Sequence, residues 1–192
     1  MNQAYFALIL LITGCYSNND TPKYKSIDIN ELKFQIGDCV SFKADSINTG
    51  VAIVIDYSKD EGGIWYGLCF TDYFDTLAPD LSKISAKKIF GRKVESALDI
   101  DGFVIGLDCE FVNDSCFDTN ASKFHKIGNF RLNNEKIDIG SRAATNDYSQ
   151  MLDAFYRGLK KRKKAPDHYK THRTKINDFS PEEFFSLKDF IY

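Results

Sequence analysis

Apolar residues follow two rhythms along this chain. From Phe34 to Gly140 they come in short runs separated by polar turns. Val40-Ser41-Phe42 alternates apolar and polar positions, as a half-buried strand does. Val51-Ala52-Ile53-Val54-Ile55 is apolar at every position and β-branched, the signature of a central strand. Ile64, Tyr66, Leu68 and Phe70 then occupy one face of a third run. Gly37-Asp38, Asn48-Thr49-Gly50 and Lys59-Asp60-Glu61-Gly62-Gly63 supply the turns. Three short strands at this spacing predict a meander. Thr71 to Asp80 reads as a long loop, and Lys88-Ile89-Phe90 and Phe103 to Phe111 as further strands. Lys126 to Leu132 and Lys136 to Ile139 flank Asn133-Asn134, which predicts a hairpin.

The rhythm changes at Thr145. Tyr148, Met151, Leu152, Phe155, Tyr156 and Leu159 recur at steps of three and four, one stripe of an amphipathic helix. Thr145 or Asn146 caps it, Lys160-Lys161-Arg162-Lys163-Lys164 suits its C-terminus, and Pro166 is expected to close it. Ser180-Pro181-Glu182-Glu183 reads as a capping box that opens a second helix through Phe184, Phe185, Leu187, Phe190 and Ile191. The expected fold class is α+β. A mostly antiparallel, small β-barrel-like domain spans residues 33–144, and two helices in 145–192 pack on it.

Ahead of this body, Ala4 to Ile12 is an unbroken run of nine apolar residues. A spanning helix needs about 20, so the length suits the centre of a secretory signal. It ends in Ile12-Thr13-Gly14-Cys15, which resembles a bacterial lipobox. That resemblance implies a signal peptide over residues 1–14 and Cys15 as the acylated first residue of the mature chain, palmitate being one such acyl group. Residues 15–32 then form a polar tether. Ser17-Asn18-Asn19-Asp20 resembles the surface-export tags of Bacteroidota lipoproteins. The expected location is the bacterial cell envelope, anchored to the outer membrane on its periplasmic or its surface face.

Composition adds a core and a charge asymmetry. Of 192 residues, 43% are hydrophobic and 14% aromatic, which argues against disorder. Net charge is −2, so nothing global points to nucleic acid. Arg157 to Lys175 nevertheless holds nine basic residues against one acid, Asp167, so an acidic body carries a basic C-terminal patch.

Candidate chemistry is sparse. The chain has no G-x-S-x-G, P-loop or G-x-G-x-x-G. His168 and His172 stand four apart beside Asp167, yet no third metal ligand is evident. Asp108, Glu110, Asp114 and Asp118 lack the glycine and closing Glu of a calcium loop. His125 with Cys109 or Cys116 makes a conceivable nucleophile pair, against the plainer strand-end histidine. No metal or cofactor is expected. With Cys15 acylated, Cys39, Cys69, Cys109 and Cys116 remain, and an exported compartment permits disulfides. Cys109 and Cys116 flank Asn113-Asp114-Ser115 and form the candidate bridge. Asp45-Ser46-Ile47 and Asp75-Thr76-Leu77 both resemble the acceptor tripeptide of Bacteroidota O-glycosylation.

Trp65, Asp72, Tyr73, Phe74 and Asp75 are the candidate partner-binding residues. Aromatics give contact area at low entropic cost, and carboxylates beside them steer a basic partner. Two further pieces resemble the immunity-protein-26 family of polymorphic toxin systems. One is Phe34 to Phe42 with its Gly37-Asp38 turn; the other is Lys126-Ile127-Gly128-Asn129-Phe130. The resemblance covers roughly Phe34 to Leu132 and implies a non-enzymatic, toxin-binding barrel. The expected function is a lipid-anchored envelope binding protein, not an enzyme, which binds a toxin stoichiometrically. The rival class is a hydrolase acting on a cell-wall or surface polymer.

Overall fold

The computed structural model describes residues 27–95, 103–133, 137–171 and 183–192. Its centre is a mixed, mostly antiparallel sheet. The strands are β1 (Asp38–Lys43), β2 (Thr49–Asp60), β3 (Gly63–Asp75), β4 (Lys88–Glu95), β5 (Phe103–Asn113), β6 (Phe124–Asn129), β7 (Ile137–Thr145) and β8 (Glu183–Ser186). The helices are α1 (Leu81–Ser85), α2 (Asp114–Thr119) and α3 (Tyr148–Thr171). Neighbours run β6-β1-β2-β3-β4-β5-β7, with β8 added on β4.

β2 is central, as its apolar run predicts. It pairs with β1 and β3, and Gly50 to Val54 are buried. Register shifts between Gly50 and Ala52 and between Val54 and Asp56 twist the β2–β3 ladder. Both faces of the sheet are therefore covered. One core gathers Phe42, Val54, Tyr66, Leu68, Met151 and Phe155 under α2 and α3. The other gathers Ile53, Cys69, Tyr73, Ile89, Leu107 and Phe190 on the opposite face.

The sheet does not close into the expected barrel. β7 adds in parallel to β5, and the predicted hairpin between β6 and β7 is absent because β6 pairs with β1 instead. A single bridge, Leu132 to Ile191, links the segment after β6 to the C-terminus. Closure rests on pairings distant in sequence, which local alternation does not encode.

Among the described residues, the C-terminal segment expected to hold two helices shows a helix, a short strand and a 3-10 turn. α3 runs through Pro166 to Thr171, with one backbone donor missing at the proline. Glu183–Ser186 is a strand paired with β4, and Leu187–Asp189 a single 3-10 turn. β8 pairs along Lys88 to Gly91 of β4, which satisfies backbone groups there while Phe185, Leu187 and Phe190 enter the second core. Ser180 and Pro181, like Cys15 and the tether through Ser26, lie outside the described residues. Thr71 to Asp75 extends β3 rather than starting a loop, and Asp80 caps α1 by accepting from the Lys83 amide at 2.9 Å.

Candidate functional site

β3 carries all five residues expected to contact a partner, and its two-residue period separates them. Trp65 lies far from the others: seven residues of strand before Asp72 amount to about 23 Å. Its indole donates to Asp60 Oδ1 at 2.9 Å, bracing the β2–β3 turn. The Asp72 carboxylate accepts from the Lys88 amide at 3.0 Å and so fixes the start of β4. Tyr73 is 2% exposed, and its hydroxyl donates to the Leu77 carbonyl at 2.7 Å. Burial pushes its phenol above the ordinary range. Those three residues build the fold. Phe74 and Asp75 alone of the five are exposed, with the Phe74 ring centroid 6.2 Å from Phe155 and 6.0 Å from Tyr156.

Other residues complete that surface. Thr49 stands opposite Asp75 and Gly50 opposite Phe74, so the turn leading into β2 and the turn leaving β3 share one end of the sheet. Ile47 sits on the first turn and is 69% exposed; Leu77 sits on the second and is 59% exposed. Each turn is held by its own aspartate. Asp45 Oδ1 accepts from the Ile47 amide at 2.9 Å and the Asn48 amide at 2.7 Å. Asp75 Oδ1 accepts from the Leu77 amide at 3.1 Å. The Asn48 side chain and these amides hold the Asp45 carboxyl below its usual range, so it stays ionised. Tyr156 on α3 donates to the Ala44 carbonyl at 2.9 Å and ties the first turn to the helix.

Asp45, Ile47, Phe74, Asp75 and Leu77 thus form one apolar and acidic end. Asp45, Ile47 and Leu77 are not among the partner-binding candidates read from the sequence, yet they share this surface. Their signal was present, an apolar residue exposed two positions after an aspartate in both tripeptides singled out for another reason. Nearby Asp80 is already paired with Lys83 at 3.2 Å, and hydrogen bonds led by that from Ser82 hold its pKa down to about 2.

The remaining candidates do not assemble. Cys109 and Cys116 form no bridge: all four described cysteines are buried thiols. Cys109 lies in the second core and Cys116, on α2, in the first, so the sheet keeps them apart. Residues 113 to 115 are no loop, because Asn113 caps α2 through the Ser115 amide at 3.0 Å. Burial pushes the Cys39 and Cys69 thiols up to about 12. His125 is exposed on β6. Lys33 pairs with the Asp118 carboxylate and donates to the Asp114 backbone carbonyl, so Asp118 helps hold the N-terminal segment. Among the described residues no group of three His, Cys, Asp or Glu side chains is placed to hold a metal ion. His172 lies outside the described residues.

Small hollows are found in two places among the described residues. One, about 10 Å³, is enclosed by Ile53, Cys69, Leu107, Leu132 and Phe190 in the second core. The other, about 20 Å³, lies between α3 and the sheet near Asp72, Lys88 and Gly158. Each has room for about one water.

A buried polar knot marks the other distinctive place. Asp38 is fully buried, accepts from the Gln35 amide at 2.9 Å and pairs with Lys126 at 2.8 Å. Gly37, at φ 90, makes the turn before it, and a Cβ there would strike the Phe130 carbonyl. The two stretches that carry the family resemblance are therefore neighbours, with Asp38 opposite Asn129 and Cys39 opposite Gly128. No protein-family model, curated protein or solved structure matches this chain.

Proposed function

We propose that this chain is a lipid-anchored, non-enzymatic binding protein of the bacterial envelope, attached through Cys15, which neutralises a protein partner by stoichiometric binding. The observation that carries the reading is the exposed end bearing Ile47, Phe74 and Leu77 on two braced turns. Large apolar side chains held out by rigid turns, with carboxylates at their flank, suit a protein interface. The pairing of Gly37-Asp38 with Gly128-Asn129 supports the immunity-type version, since those stretches carry the resemblance to toxin-neutralising proteins.

The test is titration calorimetry of the full chain against the secreted protein encoded beside its gene. Saturation at one to one, with the partner's mass unchanged after prolonged incubation, is the expected result. Cleavage of the partner at substoichiometric amounts, or absence of heat, overturns the reading. The anchor is tested by Cys15→Ser, which is expected to lose labelled fatty acid and to leave an unanchored or uncleaved precursor; a variant that is cleaved, acylated and membrane-bound like wild type overturns it.

A further inference from the structure

The apolar and acidic end and the N-terminal segment sit at opposite ends of the longest strand. Ile27, Leu32 and Phe34 pack on the first core. The Lys33 amide donates to the Tyr66 hydroxyl at 2.8 Å, and Lys59 pairs with Glu31 at 2.5 Å. These contacts place Ile27 to Phe34 beside the β2–β3 turn, Asp60 to Gly63. From Tyr66 to Asp75 the strand then runs about 30 Å away from that point.

The exposed charges at that far end are Asp45, Asp75 and Lys43, the last opposite Thr49 on β1. Asp45 and Asp75 accept hydrogen bonds only from their own turns, and neither has an ion pair among the described residues. Lys83, on the helix that follows, is taken by Asp80. Lys87 lies over the Tyr73 ring, 5.4 Å from its centroid. Two carboxylates thus border three exposed apolar side chains, and among the described residues neither is neutralised by an ion pair.

We infer that this end is the partner-facing surface, and that its partner is a folded protein presenting an apolar hollow bordered by lysine or arginine. The inference rests on the binding reading above and names the chemistry of the partner. Ile47 and Leu77 fill the hollow, Phe74 seals its margin, and Asp45 and Asp75 meet the bordering cations. Such a border steers encounter and sets register, while the apolar contact supplies affinity. A lipid surface suits the end less well, because exposed carboxylates are repelled by anionic headgroups.

The test places a photocrosslinking phenylalanine analogue at Leu77 or at Ile29 in the full chain, irradiated in its native envelope. Ile29 is also exposed, at 62%, but lies at the opposite end of β3, beside the β2–β3 turn. Asp45→Asn with Asp75→Asn removes both charges and keeps the side-chain oxygens that hold the turns. The expected result is a protein adduct from Leu77 and none from Ile29, its crosslinked peptide carrying Lys or Arg beside apolar residues. Adduct yield falls about tenfold between roughly 0.05 M and 0.5 M salt, and similarly in the double variant. A protein adduct indifferent to salt and to the double variant overturns the cationic border. Adducts to lipid alone overturn the protein partner. An adduct from Ile29 and none from Leu77 overturns this surface and leaves the binding reading standing. No adduct from either position overturns both.

Discussion

The side chain of Asn129 on β6 donates to the carboxylate of Asp38 on β1 at 2.9 Å, and the same nitrogen reaches the Ile36 carbonyl at 3.1 Å. This contact joins residues 91 apart in sequence. With Lys126 and the Gln35 amide it satisfies a carboxylate that burial would otherwise make very costly. Asp38→Ala leaves the Asn129 and Gln35 donors unpaired and is expected to cost roughly 2–4 kcal/mol. Urea denaturation with an unchanged slope checks it. A loss below about 0.5 kcal/mol would place the knot outside the folding core.

The stripe on α3 is buried unevenly. Met151 and Phe155 are 0% and 1% exposed, whereas Leu152 and Leu159 are half-buried against the same core. Phe155 has ring neighbours at 5.0 Å in Phe42 and 5.6 Å in Phe70. Phe155→Ala is expected to cost about 3–5 kcal/mol in unfolding free energy, and Leu152→Ala visibly less. Equal losses would mean that the helix sits in another register.

Two glycines respond to alanine with opposite signs. A Cβ on Gly158 of α3 meets nothing within 4 Å, so Gly158→Ala gains helix propensity of about 0.5–1 kcal/mol. Gly37 has φ 90 and lies against the Phe130 carbonyl, so Gly37→Ala destabilises. Thermal unfolding of the two variants orders them around the wild type, and a reversed order contradicts both placements.

Glu110 is 8% exposed and shares the face of β5 with Val112 toward the first core. Burial raises its pKa, and the charge of Arg157 opposes that rise only in part. A carboxyl with a raised folded-state pKa binds its proton more tightly folded than unfolded. Stability then falls as pH rises from about 4.3 through the folded pKa, and the penalty stays constant above it. Asp45, Asp80 and Asp147 are shifted down, so the stability they lend is lost only as pH falls below about 3.9. Glu110→Gln is expected to raise stability at neutral pH and flatten the slope just above pH 4. Denaturant midpoints across pH measure it, and an unchanged slope removes Glu110 as its source.

The thiols are expected to be silent in the native state. Cys39, Cys69, Cys109 and Cys116 are all buried, and two of them are pushed up to about 12. Ellman's reagent at mild alkaline pH should react with none of the four until denaturant is added, and then with all four without reductant. Fewer than four after unfolding would restore a disulfide.

Short-range chemistry was legible in the sequence, and long-range pairing was not. The alternation of Val40 to Phe42, the apolar run of Val51 to Ile55 and the stripe from Tyr148 to Leu159 each state a local period, and the structure holds β1, β2 and α3 there. Gly37-Asp38 announced a turn because only a residue without Cβ fits φ 90 against the Phe130 carbonyl. What those elements do to one another was decided in three dimensions. Nothing in Glu183 to Ser186 states that it will pair with β4, and no local period states that β7 will lie parallel to β5 and leave the sheet open. The candidate site divides the same way. Of the five candidates read from the sequence, Phe74 and Asp75 are exposed, whereas Trp65, Asp72 and Tyr73 were claimed by Asp60, Lys88 and Leu77. Ile47 and Leu77 joined Phe74 because the β2–β3 register brings two turns, some 30 residues apart, to one end of the sheet. A period records which face a residue prefers; only pairing across the sheet determines which residues share that face.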